Sequence, residues 1–402
     1  MKTLTSFIIV LCISDGIEAF TLKHTPPIIR QAPTYFKAPP TISTLSRTRV
    51  RNYVKVHRLS MSSSDVASPD TSGSEADTGG DSSMASSSFN LVKACIGAGV
   101  LAFPGGVAAF ADVPRALVPA SLIMAVLGFV SGYSFYSIGR TCKDEGASSI
   151  GEAWTKTVGK DSSWLVDVSL FLTTVGAALS FSINLGDLVS SVLQTLGVTG
   201  FMAGRHASIL GVTLSSLLPL CSLSSLAALA PVSIVGVFSS ILTCLFLGYR
   251  TIDGSYNAAK SGHLLANLAA TKKPQFGIRG NNFFSPSILI LFSMIATGYM
   301  SHFAASDIQK GLKNNTNERF RTLCIIGFGI TTVLSILFMS FGFLTFGGAS
   351  GALVLNNYAN EDVGAIICRS LTAISLLGSF PIVFNGARST WLSLTNKGKR
   401  YI

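Results

Sequence analysis

The stretch from Asn90 to Pro104, NLVKACIGAGVLAFP, constrains this chain more than any other. It is apolar enough to enter a bilayer, yet it carries Gly97 and Gly99 at its middle and Pro104 beyond them. Each glycine costs a helix interior about 1 kcal/mol relative to alanine, so the segment is built to open. An opened backbone survives inside a membrane only where protein buries it or where it lines a cavity. Interrupted helices of this kind form midplane substrate sites in secondary transporters, with half-helix N-termini facing anionic groups. The segment points to a solute carrier.

Composition agrees. Charged residues make up 12% of the 402 residues, against about 25% in soluble domains, and the mean hydropathy is +0.51. Eight apolar runs are long enough, or nearly so, to cross a ~30 Å hydrocarbon core. They are Phe89–Phe110, Leu117–Ile138, Trp164–Leu193, Ile209–Leu223, Leu229–Gly248, Ser287–Phe303, Leu323–Phe346 and Val363–Leu392. The fourth is short and holds Pro219 near its end. A soluble protein with one large core has no use for so many uncharged runs. The predicted fold class is therefore an all-α polytopic membrane protein.

The net charge of +11 is no nucleic-acid signature, because the basic residues sit in loops without interleaved aromatics. Twelve Lys and Arg fall in the loops and tail on the side of the N-terminus, against seven on the other. The positive-inside rule then puts the N-terminus on the inner side. The seven cysteines are scattered without CxxC or metal spacing and read as buried free thiols. The sequon Asn314-Asn315-Thr316 falls on the inner side and reads as chance.

Residues 1–19 have the layout of a secretory signal peptide, with Lys2, an apolar core Phe7–Ile13 and a polar step ending at Ala19. Residues 20–64 hold no acidic residue but eight basic ones, among Ser, Thr and Pro, as a transit peptide does. Residues 65–87 turn abruptly to an acidic, Ser-rich linker predicted to be disordered. Signal and transit segment together resemble the bipartite presequence of algae with secondary plastids. That implies a mature protein starting near residue 60 in a plastid membrane. The alternative is an ordinary cytosolic tail in front of a vacuolar or other endomembrane protein. The transmembrane domain covers 88–392, and 393–402 form a basic tail.

Four ordered blocks carry a family resemblance. The first is NLVKACIGAGVLAFP, and the second is LLPLCSLSSLAALAPVSIVG (217–236). The third is SHFAASDIQKGLKNNTNERF (301–320). The fourth runs from FGFLTFGGASGALVLNNYANEDVGAIICRSL to GSFPIVFNGARS (341–389). Together they resemble the amino acid/auxin permease family of eukaryotic amino acid transporters, proton- or sodium-coupled. The resemblance implies an inverted-repeat, leucine-transporter-like (APC) fold of two five-helix repeats with broken first and sixth spans. It also implies eleven spans, of which about eight stand before Ile402, which reads as truncation after the eighth.

What this implies for the site is concrete. An amino acid brings a carboxylate and an ammonium, and both need partners where water is scarce. Backbone N–H groups at Gly97, Ala98 and Gly99 would take the carboxylate, aided by the helix dipole. Ala296, Thr297, Gly298 and Tyr299 occupy the corresponding place in the second repeat. Freed carbonyls and the Thr297 hydroxyl would take the ammonium, and Tyr299 would either cover the side chain or pack in the core. Asn90, Ser375 and Ser379 are the candidate sodium ligands, hard oxygens suited to a hard cation. Lys93 either faces the cavity, where its charge would compete with sodium and favour protons, or snorkels to the inner surface. His302 either relays protons or bonds a neighbouring helix. The expected function is alternating-access transport of neutral or small amino acids, coupled to H⁺ or Na⁺, with no other cofactor. A transporter-derived sensor or non-transporting relative is the alternative. The implied partners are the amino acid and the bilayer, not nucleic acid, and oligomeric state is left open. No catalytic triad, phosphate loop or metal motif appears, which argues against an enzyme.

Overall fold

The computed structural model describes residues 80–222, 230–257, 260, 262–278 and 285–398. The chain partitions into two compact units. All the described residues belong to one of them, which includes Asp77–Ile402. The other, Gly16–Ala76, lies outside the described residues, and so do the signal peptide and transit segment.

Regular structure among the described residues is helical, with isolated bridges and no extended strand. Helix α1 spans Met84–Cys95, capped by the Ser83 hydroxyl on Ser86 N–H. Helix α2 spans Phe103–Phe110, α3 Leu117–Asp144, α4 Ile150–Thr157 and α5 Ser163–Thr195. Helix α6, Arg205–Val212, runs on through a π turn at Thr213–Leu217 to Cys221. Then follow α7 Ala230–Asp253, α8 Ile288–Gly298, α9 Ala305–Gly311, α10 Asn317–Phe346 and α11 Val363–Gly398. Six stretches are long and apolar enough to cross a membrane, and the bent pair α1–α2 makes a seventh. This is a multi-pass membrane protein.

The expected fourth crossing, Ile209–Leu223, corresponds over its described residues to α6 and its continuation. At 1.5 Å per residue that helix is only ~25 Å long, so it falls short of the other spans. Contacts between loops sort the span ends into two layers. On one side Ser82 bridges Leu312, Lys143 donates to Asn315 O, and Lys310 donates to Ser148 O at 2.9 Å. On the other side Gln275 bridges Gly347, and Ile278 N–H donates to Asp112 Oδ2 at 2.8 Å. Counting the α6 stretch as a crossing makes the chain alternate between these layers as the loop-charge argument requires.

Local chemistry explains the element ends. The Thr316 hydroxyl of the sequon accepts from Arg319 N–H at 3.2 Å and caps α10. Ser149 caps α4 in the same way. Ser148 donates to Glu152 through its hydroxyl and backbone N–H, and Lys156 lies alongside. These bonds hold the Glu152 carboxyl down at about 2, so this cap stays ionised in moderate acid. All six described cysteines are buried and unpaired. Inside the bundle α11 is the most enclosed span, with 56% of its apolar window buried, against 22% for α3 and α5. The eighth span is thus central, and α3 and α5 turn apolar faces outward to lipid.

Candidate functional site

The first span opens where its glycines predict. Helix α1 stops at Cys95, Ile96 leaves helical geometry, and Gly97 is extended at φ −104°, ψ −159°. A 3₁₀ turn, Ala98–Ala102, then leads into α2, and the two halves are bent by 44°. The first N–H groups of that turn, at Ala98 and Gly99, have no acceptor within their own helix. They are two of the three donors expected to face a carboxylate; the third, Gly97 N–H, donates instead to Cys95 O at 3.1 Å.

The sixth span opens later than expected. Ala296, Thr297 and Gly298 are still helical, because the i→i−4 ladder continues to Tyr299 N–H on Ile295 O. The non-helical residues are Tyr299–Ser301, and the bend is mild enough for Ile288–Gly311 to run as one span. Ala296 and Thr297 point to an exposed face, and the Thr297 hydroxyl is satisfied by Ser293 O at 2.8 Å. Tyr299 is buried. Its hydroxyl bonds Thr332 Oγ1 at 2.9 Å and Met124 O at 3.3 Å, between the second and seventh spans. The ring packs in the core rather than covering a ligand beside Gly97.

The two interruptions nonetheless meet. A Cβ on Gly99 would lie 3.8 Å from the Gly298 Cα, so two glycines face each other across the gap. The Cys95 thiol, at the end of α1, donates to the Ser301 hydroxyl at 3.2 Å, and Ser301 is fully buried. Phe103 lies against Gly298, and Phe181 of the third span lies against Gly97. Sequence reasoning missed Cys95, Ser301, Phe103 and Phe181, since nothing in their spacing shows which neighbour each faces.

The coupling-ion candidates are rearranged. Asn90 is exposed on α1, and the Ser379 hydroxyl is committed to Ser375 O of its own helix at 3.0 Å. The partner of Ser375 is Lys93, whose Nζ donates to Ser375 Oγ. So the proposed sodium set does not assemble as expected, and Lys93 points inward instead of snorkelling. His302 lies apart from it. Its Nε2 is 3.2 Å from Ser131 O and its ring is 6.1 Å from that of Phe135. A small cavity of about 20 Å³ joins the break to the eighth span, lined by Gly97, Ser239, Ser240, Thr243, Thr372 and Ser375. Among other charges near span ends, Asp187 pairs with Arg205 at 2.9 Å, and Arg369 is fully buried under the loop before α11.

Known proteins are similar to this chain in sequence. The family described as "Transmembrane amino acid transporter protein" matches residues 80–400. A Danio rerio protein named "Putative sodium-coupled neutral amino acid transporter 11" is 24% identical over 313 residues, covering 77% of this chain and 65% of its own length. "Amino acid transporter AVT6E" of Arabidopsis thaliana is 23% identical, over 77% of this chain and 63% of its own. "Vacuolar amino acid transporter 6" of Saccharomyces cerevisiae is 21% identical, over 77% and 65%. The chain thus spans under two thirds of the length of these relatives. With the family matched over most of its length, this chain belongs to the transmembrane amino acid transporter family.

Proposed function

We propose that this chain moves amino acids across its membrane by alternating access, driven by an H⁺ or Na⁺ gradient. The observation that carries the reading is the meeting of two interrupted spans at Gly99 and Gly298. Opened backbone lies on both sides of that contact, at Ile96–Gly97 and Tyr299–Ser301. Donors at Ala98 and Gly99 take the substrate carboxylate, and a backbone carbonyl in the non-helical turn Tyr299–Ser301, such as that of Met300, takes its ammonium. Glycine on both sides lets a ligand approach the backbone closely. Phe103 and Phe181 crowd the break, which favours small or neutral side chains. The two halves of an inverted repeat rocking about this contact would expose it alternately to either side.

The names of the relatives support amino acids as substrate, and the Danio rerio name favours a neutral one. Reconstituted in proteoliposomes, the full chain is expected to accumulate labelled alanine when a proton or sodium gradient is imposed. Binding without accumulation would instead favour a sensor. For the membrane itself, the acid-free stretch 20–64 supports a plastid and the yeast relative's name a vacuole. We keep the plastid reading. A fluorescent fusion of residues 1–64 should enter plastids, and signal confined to the cytosol or vacuole would refute it.

A further inference from the structure

We infer that the cleft between the second and seventh spans is a binding site for one anionic phospholipid of the inner leaflet. The inference rests on the chain's place in a membrane and not on what it carries. The cleft holds about 860 Å³, with α3 forming one wall and α10 the other. It faces lipid, because Phe129 and Tyr133 in the first wall and Ile325 in the second are exposed. At one end the lining turns basic, with Arg140 from α3 and Arg321 from α10, and no acidic side chain lines it. That end belongs to the layer where Lys143 meets Asn315, which loop charge makes the inner one.

The cleft is made by missing side chains. A Cβ on Gly128 would fall on Thr332 Oγ1, and one on Gly132 would meet the Phe328 ring at 3.2 Å. Glycine at these two positions lets α3 and α10 close up along the floor. Gly329 does the opposite. A Cβ there would meet nothing within 4 Å, so the space beside it is open. From Arg321 to Thr332 the seventh span rises about 16 Å at 1.5 Å per residue. That is about half of a ~30 Å hydrocarbon core, the depth of one leaflet. At the deep end Thr332 bonds the Tyr299 hydroxyl at 2.9 Å, beside the opened turn of the sixth span.

These features select the occupant. An acyl chain fits an apolar groove one leaflet deep, and a phosphate fits the guanidinium forks at its mouth. The charge there is not already neutralised. Among the described residues no carboxylate pairs with Arg321, and Arg140 meets Asp144 in an exposed pair at 3.2 Å on its own helix. Exposed pairs of this kind hold weakly. A sterol brings apolar rings but no anion, which leaves both arginines unanswered. A second copy of this chain, packed here about a two-fold axis, would set one basic mouth against the other. An anionic phospholipid satisfies both ends of the groove, and the negative inner leaflet concentrates it there.

The test is native mass spectrometry of the detergent-solubilised full chain, titrated with phosphatidylglycerol or with phosphatidylcholine of the same acyl chains. One phosphatidylglycerol is expected to bind about 25-fold more tightly than phosphatidylcholine, about fivefold for each arginine. Arg140→Gln with Arg321→Gln should remove that preference, and both side chains are exposed, so this variant folds. Gly329→Leu fills the groove from an open position and improves helix propensity. It should weaken phosphatidylglycerol binding by about tenfold, as the loss of two buried methylenes does. Glycerol phosphate, which has the anion without the chains, should not compete. Equal affinity of the wild type for the two lipids would overturn the inference, with no variant needed. So would undiminished binding in Gly329→Leu, which would put the lipid on the basic surface at large, and so would competition by glycerol phosphate. A sterol bound as tightly, or a dimer formed without lipid, would identify another occupant and overturn it as well.

Discussion

Replacing Arg369 by methionine is expected to destabilise this protein severely. Its side chain is fully buried near the start of the eighth span. The guanidinium donates to Leu355 O at 2.9 and 3.1 Å, to Tyr358 O at 2.6 Å and to Asn360 Oδ1 at 3.3 Å. It stitches the loop Val354–Asn360 onto α11. The same loop is held by Tyr256, whose hydroxyl accepts from Ala359 N–H and donates to Asp362, and Asp362 in turn pairs with Arg250. Methionine fills similar volume but leaves the buried carbonyls of Leu355 and Tyr358 without these donors, while water can serve the exposed Asn360. At about 1–3 kcal/mol for each buried group left unsatisfied, the loss reaches roughly 2 kcal/mol or more. Thermal unfolding of the detergent-solubilised protein reads it out. Arg369→Lys should recover little, since an ammonium cannot reproduce the planar fork. An unchanged unfolding temperature would show that the loop finds other donors.

Gly298→Ala is the second. Its Cβ would overlap the Phe103 ring at the point where the two broken spans touch. Overpacking of this kind costs about 1–3 kcal/mol, and here it would push α2 away from α8, separating the two halves of the proposed site. Alanine uptake should fall by about tenfold or more, since 1.4 kcal/mol already corresponds to a factor of ten. Gly99→Ala makes the contrast, because its Cβ would meet Gly298 only at 3.8 Å, an ordinary contact. It should transport nearly as wild type. Trimming the obstacle, in the double variant Gly298→Ala with Phe103→Leu, should restore part of the lost uptake. Full activity in Gly298→Ala alone would mean that the contact does not matter to transport.

Much of this molecule is legible in its residues. The apolar runs mark the spans, and Gly97 with Gly99 marks the first interruption, because helix propensity and hydropathy act locally. The sixth span shows where this stops. Thr297 and Gly298 suggest an opening, yet the backbone ladder continues to Tyr299, since a helix end is settled by what the next turn packs against. Tyr299 itself turns towards Met124 and Thr332, which lie far from it in sequence.

Which side chain of α1 meets the eighth span was decided by tertiary structure alone. Asn90 and Lys93 are three residues apart on one helix, and such neighbours share nearly the same face. Sequence spacing therefore cannot tell which of them reaches the eighth span. A small rotation of α1 chooses between them, and that rotation is set by contacts such as Leu91 against Gly327 on the seventh span. Gly236, a single missing side chain on the fifth span, then leaves space for an ammonium beside Ser375. Local chemistry determined which segments cross the membrane and where the first one opens. Long-range packing determined which charge stands inside, because that depends on helix rotation, to which hydropathy is blind.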